Sequence, residues 1–518
     1  MMRIGIDVGG THTDAVLMAS NQVLQTVKTA TTRDITSGIT TALTALLLNA
    51  EQTRPAVDAV VIGTTHFTNA IVEQRELSPV AAVRIGLPAS ASLPPFVDWP
   101  APMATLVRGN VFMIRGGHEV DGRRIVDLDE AALVDAAVSI RDSGLQDVAV
   151  SSVFSPLDDS DERHAAEILC DTCPALRITL SSELGRLGLL ERENATLLNA
   201  SIRPLALRTI GAFRDAIEHS DLNAPLFLTQ NDGTVMQASY AERLPLLSIA
   251  SGPTNSMRGA AYLSGINDAL VADVGGTTTD IGALQHSFPR QANTVVEIGD
   301  IRTAFRMPDL FSLGLGGGSI VDIDASTIGP RSVGFELTKK SRVFGGGTLT
   351  ATDLGVHGGR LELGDPRRVS DLDKTRTRQL LDQIALMLEQ SIDRMKTDAR
   401  EVRLIAVGGG DFLVPTKLSG VSEVVHLEHG AVANAVGAAI SQVSGEVDQV
   451  FSGVDRDEAI ESATHHARER AIEAGASEES LQLVDLDDLP IAYLPGDARR
   501  VHARVVGDIG ERDQVAMK

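Results

Sequence analysis

An eight-residue segment occurs twice in the chain, as DVGGTHTD from Asp7 and as DVGGTTTD from Asp273, with seven of its eight positions identical. In both places an apolar run leads into Gly-Gly and a second apolar run follows, IGIDVGGTHTDAVL from Ile4 and VADVGGTTTDIGAL from Val271. This order reads as strand, tight turn and strand. A hairpin repeated so far along the chain implies two halves of similar plan, each built around its own copy.

The residues of the bend suit a particular chemistry. Glycine permits close backbone approach, so successive N–H groups around Gly9-Gly10-Thr11 and Gly275-Gly276-Thr277 can form concave nests for anions. Asp7 and Asp273 end their strands where a hard cation such as Mg2+ would be held, usually through water. The hydroxyls of Thr11, Thr13, Thr277 and Thr278 lie at the same bends. Phosphoryl transfer asks mainly for positioning and charge neutralisation, and two such clamps on opposing lobes would grip the phosphates of Mg-ATP. A lone Gly-Gly-Thr needs no role beyond closing a hairpin, but turn geometry does not require the acids to recur with it.

Between and beyond the two hairpins, strand and helix patterns alternate, which predicts an α/β fold. A helix is expected over 35–50, a strand over 59–62, the loop Gly63-Thr64-Thr65-His66-Phe67-Thr68-Asn69, and then a further helix. A strand over 147–154, a helix over 158–171, a strand over 177–180 and a long helical stretch over 187–217, interrupted near Pro204, follow. Ser251-Gly252-Pro253 marks a helix start. Three glycine triplets come after the second hairpin. Gly408-Gly409-Gly410, behind an apolar strand over 403–407, is placed on the adenosine side; Gly316, Gly317 and Gly318 could line the cleft or make a turn, and Gly345 to Gly347 reads as a turn. From Asp448 the composition shifts to a charged helix over 455–474, an acidic loop over 485–488 and a basic strand-like end over 499–506. The expected division is an N-terminal lobe over 1–185, a second lobe over 186–447 and an appendage over 448–518.

Composition limits the partners. A net charge of −23 would repel a nucleic-acid backbone or an acidic lipid surface, and aromatic content of 3% leaves little for base stacking. Neither nucleic acid nor membrane is expected as a partner. Met1-Met2-Arg3 leads directly into a strand pattern without the features of a secretory signal, so a cytoplasmic location is expected. Cys170 and Cys173 form a lone C-x-x-C that reads as two reduced thiols, and His426 with His429, like His465 with His466, reads as surface or capping histidines. His12 and His66 differ, because each lies inside an expected cleft loop and is a candidate for substrate or phosphate contact.

The ordered motifs GIDVGGTHTD, GTTHFTNAIVEQR from Gly63, LLERENATLLNASIRP from Leu189, SGPTNSMRGAAY from Ser251, DVGGTTTD, and GLGGGSIVDID from Gly314 resemble the ATP-dependent hydantoinase/oxoprolinase family. The likeness is to its nucleotide-binding A-type subunit, within the superfamily of actin, sugar kinases and heat-shock chaperones, and runs roughly from Arg3 to Gly445. It implies a two-lobed actin-like ATPase fold with duplicated core domains, ATP and Mg2+ as cofactors, and ATP-driven opening of a cyclic amide or imide. By that resemblance Asp7 and Asp273 are catalytic and hold the metal, and Gly9, Gly10, Thr11, Gly275, Gly276 and Thr277 bind the nucleotide. Gly63, Thr64, Thr65 and Asn69 match the family's GTT-x-x-x-N loop at the cleft, although Thr and Asn could equally cap the helix there. The segment Phe335-Glu336-Leu337-Thr338-Lys339-Lys340 departs from the Pro-Gly-Pro-x-x-Tyr-Gly of long family members, so their substrate specificity does not transfer. Nothing of the length of a B-type subunit is present, so a second subunit is expected as partner, in an oligomer. A small-molecule kinase and a non-enzymatic nucleotide-driven activator are the rival readings.

Overall fold

The computed structural model describes residues 2–9, 12–19, 22–30, 35–49, 57–185, 187–292, 296–303, 307–492 and 496–510. The first hairpin, Met2–Val8 with His12–Ala19, sits inside a nine-stranded sheet. On its outer side Gln22–Ala30 forms the edge; on the other follow Ala59–Thr64, Leu226–Thr229, Val235–Gln237, Val443–Phe451, Arg499–Gly507 and Gln482–Pro490. The second hairpin, Ala269–Val274 with Thr279–Gln285, lies in a six-stranded sheet beside Val402–Val407 and Val421–His426. Residues 80–180 supply a separate sheet of four parallel strands, Val80–Leu87, Arg108–Arg115, Asp147–Ser152 and Arg177–Leu180.

The two hairpins repeat one another in register. Asp7 pairs across the first with Asp14, and Asp273 across the second with Asp280. Each aspartate strand also has a parallel neighbour, with Asp7 beside Gly63 and Asp273 beside Val407. This is the duplicated α/β core, with one clamp hairpin per lobe, that the repeat predicts.

Two helices join the lobes. Ser251–Ser264 presents Met257, Ala260 and Ala261 to Val271, Ile405 and Val407 of the second sheet. Ala433–Ile440 covers Val16 and Met18 of the first with Ala435, Val436 and Ala439. Where they cross there is no room for side chains: a Cβ on Gly259 would stand 1.9 Å from the Ala433 carbonyl oxygen, and one on Gly437 1.8 Å from that of Asn255. Interiors packed at crystal density do not absorb such an overlap without moving a backbone.

Two expectations need correction. The helix Leu189–His219 runs unbroken through Pro204. Proline removes one backbone donor and crowds the preceding turn, but Leu197, Leu198, Ile202, Ile210 and Phe213 are fully buried on both sides of it and hold the axis. The region from Asp448, expected as an appendage, instead continues the first lobe's sheet, and the expected acidic loop at 485–488 lies within the strand Gln482–Pro490. Its helix, Arg456–Glu473, buries Ala459, Ala463, Ala467 and Ala471 in the main core. The strand tolerates its acids because Asp488 is held by Arg499 and Arg456 at 2.6 and 2.7 Å. Among the described residues no helix is long and apolar enough to cross a membrane.

Candidate active site

Asp7 is 6% exposed near the end of its strand, and its two oxygens have different surroundings. Oδ2 accepts from Nδ2 of Asn434 at 2.9 Å, and the same amide reaches Asp14 at 3.0 Å. Oδ1 has no hydrogen-bond partner among the described residues. Burial, and then the adjacent Asp14, push the Asp7 carboxyl up to about 6, against the opposing influence of the Asn434 and Asn255 amides and Lys28. Asp14 is neutralised locally, with Lys28 Nζ 2.7 Å from its Oδ1.

Asp273 occupies the equivalent place in the second lobe. Burial raises it to about 7; a hydrogen bond from Ser256 opposes the shift, while Asp280 and, across the cleft, Asp7 add to it. Asp280 has the Ser312 hydroxyl as partner where Asp14 has a lysine, and burial raises its own carboxyl. In both clamps burial is the leading cause of the rise, and Lys28 opposes it only weakly.

The clamps share a steric device. A Cβ on Gly63 would lie 2.7 Å from Asp7 Oδ1, and one on Gly408 would lie 2.5 Å from Asp273 Oδ1. In both lobes the neighbouring parallel strand therefore ends in a residue whose missing side chain makes room for the carboxylate. Gly408 thus has a role in making room for Asp273, beside the adenosine contact expected of it. Gly410 also backs the clamp, donating its N–H to the Val274 carbonyl at 2.8 Å. Only Gly409 of that triplet opens onto free space, with nothing within 4 Å of a Cβ.

The hairpin turns match as well. Gly9 N–H bonds the His12 carbonyl at 3.0 Å, and Gly275 N–H bonds that of Thr278 at 2.9 Å. Those two donors close the turns. Gly317 N–H then bonds the Gly275 carbonyl at 3.0 Å, and Gly318 N–H bonds that of Gly276 at 2.7 Å. In a trans peptide the N–H points opposite to the carbonyl, so the triplet turns the N–H groups of Gly276 and Thr277 away from itself. Neither has a partner among the described residues. The expected sites Gly10 and Thr11 lie outside the described residues. Thr13 is buried within its strand, whereas Thr277 and Thr278 are exposed at the tip. Gly345 forms a turn, donating to the Arg342 carbonyl.

The loop Gly63-Thr64-Thr65 leaves its strand beside the first clamp, with Thr65 N–H 3.4 Å from the Val8 carbonyl. The helix His66–Val72 begins at once. Thr64 Oγ1 accepts from the His66 backbone at 3.2 Å and lies 2.6 Å from His66 Nδ1, while Asn69 donates to Thr65 Oγ1 at 3.4 Å. Burial holds His66 below the usual imidazole range, and burial followed by Lys28 does the same to His12. Both imidazoles are therefore neutral at physiological pH.

Sequence reasoning missed the groups that steady the carboxylates: Asn255 and Ser256, consecutive on one helix and serving one clamp each, with Asn434 and Lys28. Asn255 and Ser256 stand inside the quoted SGPTNSMRGAAY, so their signal was present without an assignment; Asn434 carried none.

A model of the hydantoinase/oxoprolinase N-terminal region matches residues 3–173, and a hydantoinase/oxoprolinase model matches residues 192–395. Caprolactamase subunit alpha of Pseudomonas jessenii is 27% identical over 386 residues, and acetophenone carboxylase gamma subunit of Aromatoleum aromaticum is 24% identical over 408. Each alignment spans 70% of this chain and 55% of the relative, so the chain covers little more than half the length of either. The crystal structure of ATP-dependent caprolactamase from Pseudomonas jessenii superposes with a TM-score of 0.79 at 19% identity, over 98% of this chain and 87% of that one. The fold is accordingly the two-lobed actin-like ATPase fold, and the chain belongs to the hydantoinase/oxoprolinase family.

Proposed function

We propose that the chain is the nucleotide-binding component of an ATP-dependent hydrolase that opens a small cyclic amide or imide of the lactam, hydantoin or 5-oxoproline class, together with a second subunit. The observation that carries this reading is the duplicated clamp, in which a carboxylate, buried in the first lobe and partly buried in the second, lies against a glycine. Two relatives are themselves named as subunits of larger enzymes, a caprolactamase and a carboxylase.

The residues fit Mg-ATP. Asp7 Oδ1 is buried without a partner, and both clamp carboxyls stand above their ordinary range. A divalent cation near them would return what desolvation has taken from the charged forms. Asp7 and Asp273 would hold the metal, directly or through water. The N–H groups of Gly276 and Thr277, with those of Gly10 and Thr11 by the repeat, would bind phosphate oxygens. When bound, ATP would supply a phosphoryl group to the amide carbonyl oxygen with ADP as the leaving group, so that water could add at that carbon, the ring C–N bond break and phosphate depart. Asn434, Asn255 and Ser256 keep the carboxylates aimed. Neutral His66 and His12, with Thr64, Thr65 and Asn69, form the side of the first clamp where a substrate carbonyl would approach. Gly409 is the surviving candidate for adenosine contact.

The decisive experiment is phosphate release from Mg-ATP across a panel of lactams, hydantoins and 5-oxoproline, with the chain alone and with a co-expressed candidate second subunit, and products identified by mass spectrometry. Stimulation by one cyclic amide with stoichiometric ring opening is expected. Asp273→Asn should lower turnover by about 100-fold or more, as expected on losing a group that acts at the reacting phosphate. The acetophenone carboxylase relative favours one alternative, ATP-dependent carboxylation. Incorporation of labelled bicarbonate into a ketone, without amide opening, would establish it instead; a stable phosphorylated product would indicate a kinase.

A further inference from the structure

The three strands at the C-terminal end of the first sheet bring a second group of ligand-type side chains together, away from the nucleotide clamps. Asp487 pairs directly with His502, and Asp485 pairs with Arg504 two residues further along the same strand. On the opposite side Glu446 also pairs with Arg504. The pairing places Asp485, Asp487, His502 and Glu446 on one face.

His502 is 1% exposed, and neither of its ring nitrogens makes a hydrogen bond among the described residues. Nδ1 is aimed between two carboxylates, 3.8 Å from Asp485 Oδ2 and 3.9 Å from Asp487 Oδ2. Both separations exceed a hydrogen bond. They are close to the roughly 3.4 Å edge between ligands of a tetrahedral ion bound at about 2.1 Å. The three ligand atoms lie within 4.8 Å of one another. On the far side of the ring, Nε2 lies 3.1 Å from Glu446 Oε1 but out of line for a hydrogen bond; a small turn of the ring on binding an ion would bring it into line, so that the carboxylate fixes the tautomer.

The neighbouring arginines make their close ion pairs elsewhere, and Arg500 acts on Asp487 and Glu446 only through longer-range attraction. Arg500 pairs with Asp448, Arg499 and Arg456 with Asp488, and Arg504 faces Asp232. Among the described residues neither Asp485 nor Asp487 has an arginine or lysine partner, so a buried imidazole nitrogen and two carboxylates face a common gap.

We propose that Asp485, Asp487 and His502 bind a divalent transition-metal ion of the zinc type. His502 ligates through Nδ1, Glu446 orients the ring, and the remaining coordination positions open to solvent past Asp487, whose side chain is 64% exposed. One imidazole with two carboxylates suits such an ion better than magnesium or calcium, which take oxygen ligands alone. The ion would tie the edge strand Gln482–Pro490 to its neighbour Arg499–Gly507.

The test is equilibrium dialysis of the metal-free full chain against Zn2+, with bound metal read by elemental analysis and with Co2+ as a visible-absorption probe. An Asp273→Asn background weakens the other cation site. One equivalent is expected to remain in that background and to give Co2+ bands of mixed nitrogen and oxygen coordination. Affinity should fall by roughly 10- to 100-fold in Glu446→Gln, and by at least as much in Asp485→Asn or Asp487→Asn. His502 is too deeply buried for its own replacement to decide the matter. The aspartates are partly or largely exposed, and retained circular dichroism in those variants shows that the fold has survived. Absence of a bound equivalent, or binding unchanged by both aspartate substitutions, overturns the proposal.

Discussion

Asp7 and Asp273 have lost more hydration than their hydrogen bonds return, and the direction of that imbalance fixes a pH dependence. Their folded-state values, about 6 and about 7, lie above the 3.8 of the free side chain. Between these limits the native state keeps protons that the unfolded state has released, so stability falls as pH rises. For the metal-free protein the thermal midpoint should therefore decline from about pH 4 to about pH 7 through these two groups. Asp273→Asn should flatten that decline and raise the midpoint at pH 7.5, and Mg-ATP should recover stability in the wild type alone. A variant less stable than wild type at pH 7.5 would contradict the buried-charge account. At this scale the clamp acids were legible because the repeat conserved them when a turn had no need to. Asn434 was not, since it reaches the carboxylates by tertiary folding from a distant segment, and Lys28 was not, since its place opposite Asp14 depends on the register of the next strand.

Helices and strands were legible where apolar periodicity dominated, as in Ile35–Asn49 and Ser160–Thr172. The strand Gln482–Pro490 was not, because its run of acids reads as a loop until the pairing with Arg499–Gly507 is known, where Arg499 holds Asp488. The helix crossing makes a prediction at this scale. Gly437→Ala drives a methyl group into the Asn255 carbonyl and forces apart the helix that carries Asn255 and Ser256. A loss of about 3 kcal/mol is expected in denaturant unfolding, together with weaker nucleotide binding. Gly409→Ala should behave in the opposite way: its Cβ meets nothing, so the midpoint holds, while KM for ATP rises if adenosine lies there. Equal midpoints with an unchanged KM would remove Gly409 from the nucleotide site.

Over the whole molecule, two lobes could be inferred from one duplicated octapeptide, but the ownership of the last strands could not. Strand pairing is long-range, and composition alone made that region look like an addition. Deleting residues 448–518 would remove two strands of the nine-stranded sheet, the last four residues of a third, Val443–Phe451, and the alanine face of Arg456–Glu473. The truncated chain should be insoluble or bind a hydrophobic dye strongly, whereas a freely dispensable appendage would leave it monodisperse with an unchanged midpoint.

The position of the first hairpin also has a consequence for synthesis. Val16 and Met18 on one face of it are covered by Ala435, Val436 and Ala439, and its sheet is completed by strands after residue 443. The four-stranded unit over 80–180 has its own core and can form while the ribosome is still at work. The hairpin must wait, with its apolar faces open, until the residues that cover it and complete its sheet, over 400 positions later, have emerged. The burden on chaperones therefore falls on the N-terminal hairpin, and slowing elongation should lengthen its exposure.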